Sequence, residues 1–300
     1  MSKTRAWISA ARLRTLPLSV SGIIVASAAA MRVEQFSVVI FILALLATLG
    51  FQILSNFAND YGDGIKGTDN TDRVGPMRAM QSGILKAKDL KRGTAITSAI
   101  TLLISTMLIF AAFGKDNFLL SFIFFNLGVA AIIAAITYTV GRKAYGYRAL
   151  GDVFVFLFFG LIGVMGCYFL YTQTLSDYII LPAITIGLLS TAVLNLNNMR
   201  DRLADTKVNK NTLAVVLGAE KVKQYHASLI IFAFLTALSY AIIFSEGWKT
   251  YLPLVAFVPL LMNIVKVYKT EAPPLLDPEL KKVALSTFAY ALLIMLVELI

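Results

Sequence analysis

The sequence predicts an all-α, polytopic membrane protein of about nine transmembrane helices, one transmembrane domain over residues 1–300. Three observations carry that expectation. Apolar residues make up 58% of the chain, charged residues only 15%, and mean hydropathy is +0.76; soluble domains run nearer roughly half apolar and a quarter charged. Apolar runs of about twenty residues recur, the length an α-helix needs to cross the hydrocarbon core. Basic residues fall predominantly on one side of those runs.

Residues 1–15 alternate Lys3, Arg5, Arg12 and Arg14 with Trp7, Ile8 and Leu13. That is the pattern of a short amphipathic helix lying on a membrane surface, not of a cleaved signal. Pro17 marks the entry to the first span. Spans are expected at roughly 16–31, 37–58, 94–113, 118–140, 150–171, 178–199, 227–245, 250–268 and 283–300. With the N-terminus in the cytoplasm, the segments 1–15, 59–93, 141–149, 200–226 and 269–282 are cytoplasmic. The short links at 32–36, 114–117, 172–177 and 246–249 are then external. Of the 27 Lys and Arg, only Arg32, Lys115 and Lys249 fall in those external links. The positive-inside pattern therefore holds at every link, and the C-terminus is expected outside. The lack of a targeting peptide and of large external loops favours a bacterial inner membrane.

The net charge of +10 follows from this topology and does not call for nucleic acid. The single Cys167 excludes an intrachain disulfide and a multi-cysteine metal site. The single His226 reads as a polar residue near a helix start at the interface, and no histidine-rich centre is possible. No obligate protein partner is inferred.

Two stretches break the apolar pattern in matched positions, at the ends of the second and sixth spans. In a helix Asn56, Asp60 and Asp63 fall at i, i+4 and i+7 and project from one face. Asn197, Asp201 and Asp205 repeat the idea at i, i+4 and i+8. Carboxylates at the mouth of a membrane helix are costly and mark function. Each is followed by a long cytoplasmic segment, 59–93 or 200–226, expected as an active-site loop. Hard oxygen donors suit magnesium, which takes one or two carboxylates and completes its shell with phosphate and water. Asp60, Asp63, Asp201 and Asp205 are therefore the expected catalytic metal ligands, with Asn56, Asn59, Asn197 and Asn198 beside them. Lys66, Arg73, Arg78, Lys207 and Lys210 could pair with remaining phosphate charge. The alternative is that such acids cap helix ends and pair with nearby arginines; Asp69, Asp72 and Asp89, out in the loop, fit that as readily. A third stretch places Lys143 and Tyr145 before Asp152 at a membrane entry, where substrate binding and a buried structural pairing are both open. A cation transporter would carry its acids mid-span or at broken helices; here they cluster at one membrane face beside basic residues.

These residues resemble the UbiA superfamily of intramembrane aromatic prenyltransferases over nearly the whole chain. Asn56, Asp60, Asp63 and Asn197, Asp201, Asp205 match its two aspartate-rich motifs. Three phrases are similar to the branch that prenylates 1,4-dihydroxy-2-naphthoate: Asn59-Asp-Tyr-Gly-Asp63 through Gly75-Pro-Met-Arg78; Tyr138-Thr-Val-Gly141 with Tyr145-Gly-Tyr147 and Leu150-Gly-Asp152; and Asn197-Asn-Met-Arg-Asp201 running to Lys210-Asn-Thr-Leu213. The superfamily often has a further Asp four residues after Asp63; this chain has Gly67 there and Asp69 two further on. The resemblance implies a nine-helix bundle around a cavity opened to lipid. It implies a polyprenyl diphosphate bridged by Mg2+ to the motifs, and transfer of its prenyl group to 1,4-dihydroxy-2-naphthoate with loss of CO2, giving demethylmenaquinone. Another acceptor such as 4-hydroxybenzoate is the alternative. Asp152 is the candidate for handling the acceptor.

Overall fold

The computed structural model describes residues 2–68, 74–75 and 77–300. Among the described residues, nine helical segments are long and apolar enough to cross a membrane. The elements are α1 (Lys3–Ala11), α2 (Leu16–Arg32), α3 (Val38–Ile65), α4 (Ala87–Phe113) and α5 (Phe118–Thr137). They continue with α6 (Gly151–Thr172), α7 (Ile180–Lys207), α8 (Leu213–Ile243), α9 (Trp248–Lys269) and α10 (Asp277–Leu299). Within α6, Phe156–Gly166 are wound as a π-helix, and α9 opens with a 3-10 stretch over Trp248–Phe257 that contains Pro253.

Small residues put α2 in the middle. Ser19, Ser21, Gly22, Ala26, Ser27, Ala28 and Ala30 are all buried, and they let α6, α7 and α10 approach closely. A Cβ on Gly22 would stand 3.1 Å from the Phe159 carbonyl oxygen. α7 is similarly enclosed, whereas α5 carries no buried residue and turns its apolar surface outward. That contrast fits a bundle whose solvent is lipid.

The apolar spans of the sequence were too short at one end of the bundle. α3 continues to Ile65 and α7 to Lys207, while α4 starts at Ala87 and α8 at Leu213. The expected loops 59–93 and 200–226 thus contract to 66–86 and 208–212. An apolar window stops at the first charged turn, but these turns stay helical because their charges find partners. At the start of α4, Asp89 Oδ2 accepts from the Lys86 amide at 3.0 Å. Thr212 Oγ1 caps α8 by accepting from the Val215 amide. α8 breaks at Gly218 (φ 76°), and His226, on the helix that follows, lies fully buried inside the bundle instead of at an interface. Its Nε2 meets Asn263 Oδ1 at 2.8 Å, Asn263 Nδ2 donates to Glu279, and Lys282 donates to Glu279 in turn. This chain ties α8, α9 and α10 together.

The N-terminal helix also does more than lie on a surface. Trp7 meets Phe57 edge-on at 5.0 Å, and Ala6, Ala10 and Ala11 pack against Phe57, Ala79, Leu85 and Leu90. Asn56 Nδ2 donates to the Ala11 carbonyl, and Lys3 pairs with Asp89 at 3.2 Å. α1 is therefore clamped across the ends of α3 and α4, beside the link that joins them.

Candidate active site

The last turns of α3 and α7 meet at this end of the bundle, with α1, α10 and the links 138–150 and 208–212 around them. Asp60, Asp63, Asp201 and Asp205 are between 1% and 7% exposed. Buried carboxylates need partners, and each has one. Lys210 Nζ lies 3.4 Å from Asp63 Oδ2 and 3.9 Å from Asp205 Oδ1. The Tyr147 hydroxyl donates to Asp63 Oδ1 at 2.8 Å and meets Thr68 Oγ1 at 2.6 Å. Arg200 holds Asp201 with a two-pronged contact, Nε to Oδ1 at 2.9 Å and Nη2 to Oδ2 at 2.7 Å, while also donating to Asn197 Oδ1 and pairing with Asp277 of α10. Asp60 is held by Arg12 and, at 3.5 Å, by Arg78.

Asp63, Asp201, Asp205, Asn197, Arg78, Lys210 and Thr68 line one polar pocket of about 20 Å³. A cavity needs about 10–15 Å³ to hold a water, so this one accepts a single ion-sized occupant. Its donors are carboxylate and carboxamide oxygens with no thiol or imidazole, a set that fits a hard divalent cation. Among the described residues no three acidic, histidine or cysteine side chains form a ready-made metal cage. A cation that takes most of its ligands from phosphate and water needs none.

Two glycines allow this assembly. A Cβ on Gly62 would lie 2.8 Å from the Thr139 carbonyl carbon, so its absence lets the 138–140 turn press against α3. There Thr139 Oγ1 reaches the Ala58 carbonyl and Asn59 Oδ1. A Cβ on Gly146 would stand 2.7 Å from the Tyr138 carbonyl oxygen, so Tyr147 can fold back to Asp63. The Ala149 amide then donates to the Asn211 carbonyl at 2.7 Å, docking this link against the one that carries Lys210.

Asp63, Asp201, Asp205, Asn197, Arg78 and Lys210 are thus brought together as the sequence predicts. Asp60 faces a neighbouring cavity with Arg12 and Arg78 and does not line the polar pocket. The carboxamide of Asn56 goes to the α1 backbone and that of Asn59 to Thr139. Asn198 is buried beside the motif but does not line the pocket, and Lys207 is exposed at the end of α7. Lys66 stands 4.0 Å over the Tyr147 ring, a cation–π contact at the rim. Tyr145 gives its hydroxyl to the Ala134 carbonyl and stacks on Phe154 at 4.0 Å, and Lys143 is exposed on its turn. Neither enters the pocket. Asp152 is only 4% exposed, has the Tyr225 hydroxyl as its polar neighbour, and does not line the pocket. Arg73, with Asp69 and Asp72, lies outside the described residues.

Sequence reasoning missed Arg12, Tyr147, Arg200 and Thr68. Arg12 belongs to a helix that reads as a surface anchor, and Arg200 reads as one cation among many. Tyr147 belongs to the Tyr145-Gly-Tyr147 phrase, whose Tyr145 packs on Phe154 while Tyr147 reaches Asp63. Outside the spans, burial pulls Lys210 downward, yet Asp63 and Asp205 outweigh it and hold its ammonium above the usual lysine range. Burial and the neighbouring Lys210 push Lys66 below that range against the pull of Asp63.

Comparison with known proteins follows the same lines. The UbiA prenyltransferase family matches residues 19–292. A Haemophilus influenzae protein named 1,4-dihydroxy-2-naphthoate octaprenyltransferase is 44% identical over 94% of this chain and 92% of its own length. An Escherichia coli protein of the same name is 46% identical over 77% of this chain and 74% of its own. Among solved structures, a UbiA homologue from Aeropyrum pernix superposes with a TM-score of 0.66 at 14% identity, over 94% of this chain and 96% of that one. One from Archaeoglobus fulgidus bound to GPP and Mg2+ gives 0.63 at 15%, over 94% and 98%. Shared fold, matched length and the two acidic helix ends agree: this chain belongs to the UbiA prenyltransferase family.

Proposed function

We propose that this protein transfers a polyprenyl group from polyprenyl diphosphate to 1,4-dihydroxy-2-naphthoate, releasing CO2 and giving the hydroquinone demethylmenaquinol, which a separate two-electron oxidation takes to demethylmenaquinone. The observation that carries the acceptor is the 44–46% identity to two proteins of that name. The polar pocket, sized for one ion and edged by Lys210 and Arg78, supports a metal-bridged diphosphate at its mouth. Asp63, Asp201 and Asp205, with Asn197, would hold magnesium, which when bound supplies charge that stabilises the departing diphosphate. Lys210 and Arg78 bind the remaining phosphate charge, in a site where buried cations act without bulk-water screening. Tyr147 and Thr68 fix the rotamer of Asp63, and Arg200 fixes that of Asp201. Thr68 and Arg78, with Lys210 from the 208–212 link, close in on the pocket and would limit access of water, which would otherwise capture the allylic cation.

The atoms balance without a general base. The allylic C–O bond breaks and its electron pair leaves on the diphosphate. A ring carbon bearing the carboxylate forms the new C–C bond, and the ring–carboxylate bond then breaks, its pair restoring the aromatic ring as CO2 departs. No ring proton has to be stripped. The protein is multi-pass, and the dispersed basic residues support a bacterial inner membrane with the site on the cytoplasmic side and the C-terminus outside.

The test is a turnover assay in detergent with polyprenyl diphosphate, magnesium and either 1,4-dihydroxy-2-naphthoate or 4-hydroxybenzoate, following product by mass. Naphthoate-dependent product with CO2 release is expected, stopped by EDTA and restored by magnesium. Product only with hydroxybenzoate would overturn the acceptor, and chelator-resistant turnover would overturn the metal.

A further inference from the structure

Asp201 and Asn197 both line the polar pocket, and both are already engaged by Arg200. Nε and Nη2 of the guanidinium take the two oxygens of Asp201, and Nη2 also donates to Asn197 Oδ1. A cation entering the pocket must therefore share those oxygens with a fixed positive charge. What relieves that conflict lies outside both acidic motifs. Asp277, in the first turn of α10, accepts from the remaining nitrogen, Nη1. We propose that Asp277 is a positioning residue for the metal: by taking a share of Arg200 it keeps Asp201 and Asn197 able to ligate a divalent cation. The proposal rests on the metal-dependent reading above.

The charges around the pocket give the reason. Asp63, Asp201 and Asp205 line it with Arg78 and Lys210, and Arg200 stands behind Asp201. Those carboxylates and cations balance, and Asp60 beside them is offset by Arg12. Asp277 is the group that leaves the site one negative charge in excess. A doubly charged cation is drawn into such a site more strongly than into a neutral one, and burial keeps the attraction from being screened. Arg14, 3.9 Å from Asp277 Oδ2, opposes the effect, but its side chain is half-exposed and water weakens its pull. Arg200 is itself fully buried and cannot turn to water for a second partner. With Asp201 as its one carboxylate, it would hold those oxygens more tightly against the metal. The fold fixes the arrangement from a distance: the turn Pro273–Leu276 seats Leu276 in the core and starts α10 where Asp277 meets an arginine 77 positions earlier.

The test titrates magnesium into the purified full-length protein in detergent, at a fixed excess of inorganic pyrophosphate, and follows the rise in thermal midpoint. The magnesium concentration at half of that rise reads the site, and the midpoint without ligands reads the fold. Asp277→Asn keeps the shape and an acceptor oxygen for Nη1 but removes the charge. It should raise the half-point about tenfold or more, the effect of losing a partner that orients a metal ligand. Asp277→Glu keeps the charge and should recover most of that loss. Arg14→Gln removes the opposing cation and should leave the half-point unchanged or lower. A wild-type half-point in Asp277→Asn overturns the proposal, whatever its ligand-free midpoint. An equal rise in the Asn and Glu variants, or a rise in Arg14→Gln, overturns it too, because packing and not charge would be responsible. A wild-type protein that does not respond to magnesium and pyrophosphate would remove the metal reading together with the proposal. A normal response shared by Asp277→Asn would remove the proposal alone.

Discussion

Arg200 is the largest fully buried side chain among the described residues, 1% exposed with its guanidinium closed in by Asp201, Asn197 and Asp277. Asp201 therefore has two duties, one to the site and one to the fold. Asp201→Ala should abolish transfer and also lower stability by about 3 kcal/mol, because it leaves a buried cation short of its main partner. Thermal unfolding in detergent reads the second effect, and a midpoint equal to wild type would show that Arg200 does not depend on Asp201. Tyr147→Phe removes only the hydroxyl between Asp63 and Thr68. It should raise the KM for the prenyl diphosphate by about tenfold or more, the value of one hydrogen bond to a charged group, with thermal stability little changed; an unaltered KM would mean Asp63 needs no such support. Lys210 has a pKa raised in the folded state, so its contribution is complete below the unfolded lysine value and is lost only as pH rises through the folded one. Its ammonium should stay charged between about pH 6 and about pH 9, so the KM for diphosphate should not climb across that window on its account. A tenfold climb abolished by Lys210→Arg would contradict this.

At the scale of elements, the site depends on helices that run past their apolar stretches and on two links drawn tightly against them. The contact of α3 with the 138–140 turn is closest at Gly62, where an added methyl group meets Thr139 main chain as well as its side chain. Gly62→Ala should lower stability by about 1–3 kcal/mol and reduce transfer by displacing the turn that leads to Tyr147. Because main chain is involved, Thr139→Ala should not rescue it. Full rescue by that second change would place the conflict in the side chain alone. The positions of Asn56, Asp60 and Asp63 on one face were legible from helical spacing. What they bind was not, since Asn56 and Asp60 turn to α1, an element far away in sequence.

For the whole molecule, basic residues concentrate at the site end, and only Arg32, Lys115 and Lys249 fall in the opposite links, which predicts the site end on the cytoplasmic side. Cys167 is buried, so introduced cysteines can report topology against a silent background. Lys88→Cys at the site end should react with an impermeant maleimide only in inverted vesicles, and Lys249→Cys only in intact cells. The opposite result would reverse the orientation. Apolar run length by itself determined the number of crossings, and residue type and spacing by themselves determined two acidic helix ends and the chemistry of hard donors. Both are local properties, written within one or two helical turns. Only tertiary structure decided which cation meets which carboxylate, that Tyr147 and not Tyr145 reaches Asp63, that α1 delivers Arg12 to Asp60, and that His226 is interior. Apart from Arg200 beside Asp201 and Lys210 near Asp205, those choices depend on contacts between residues tens to hundreds of positions apart, which nothing local to either partner records.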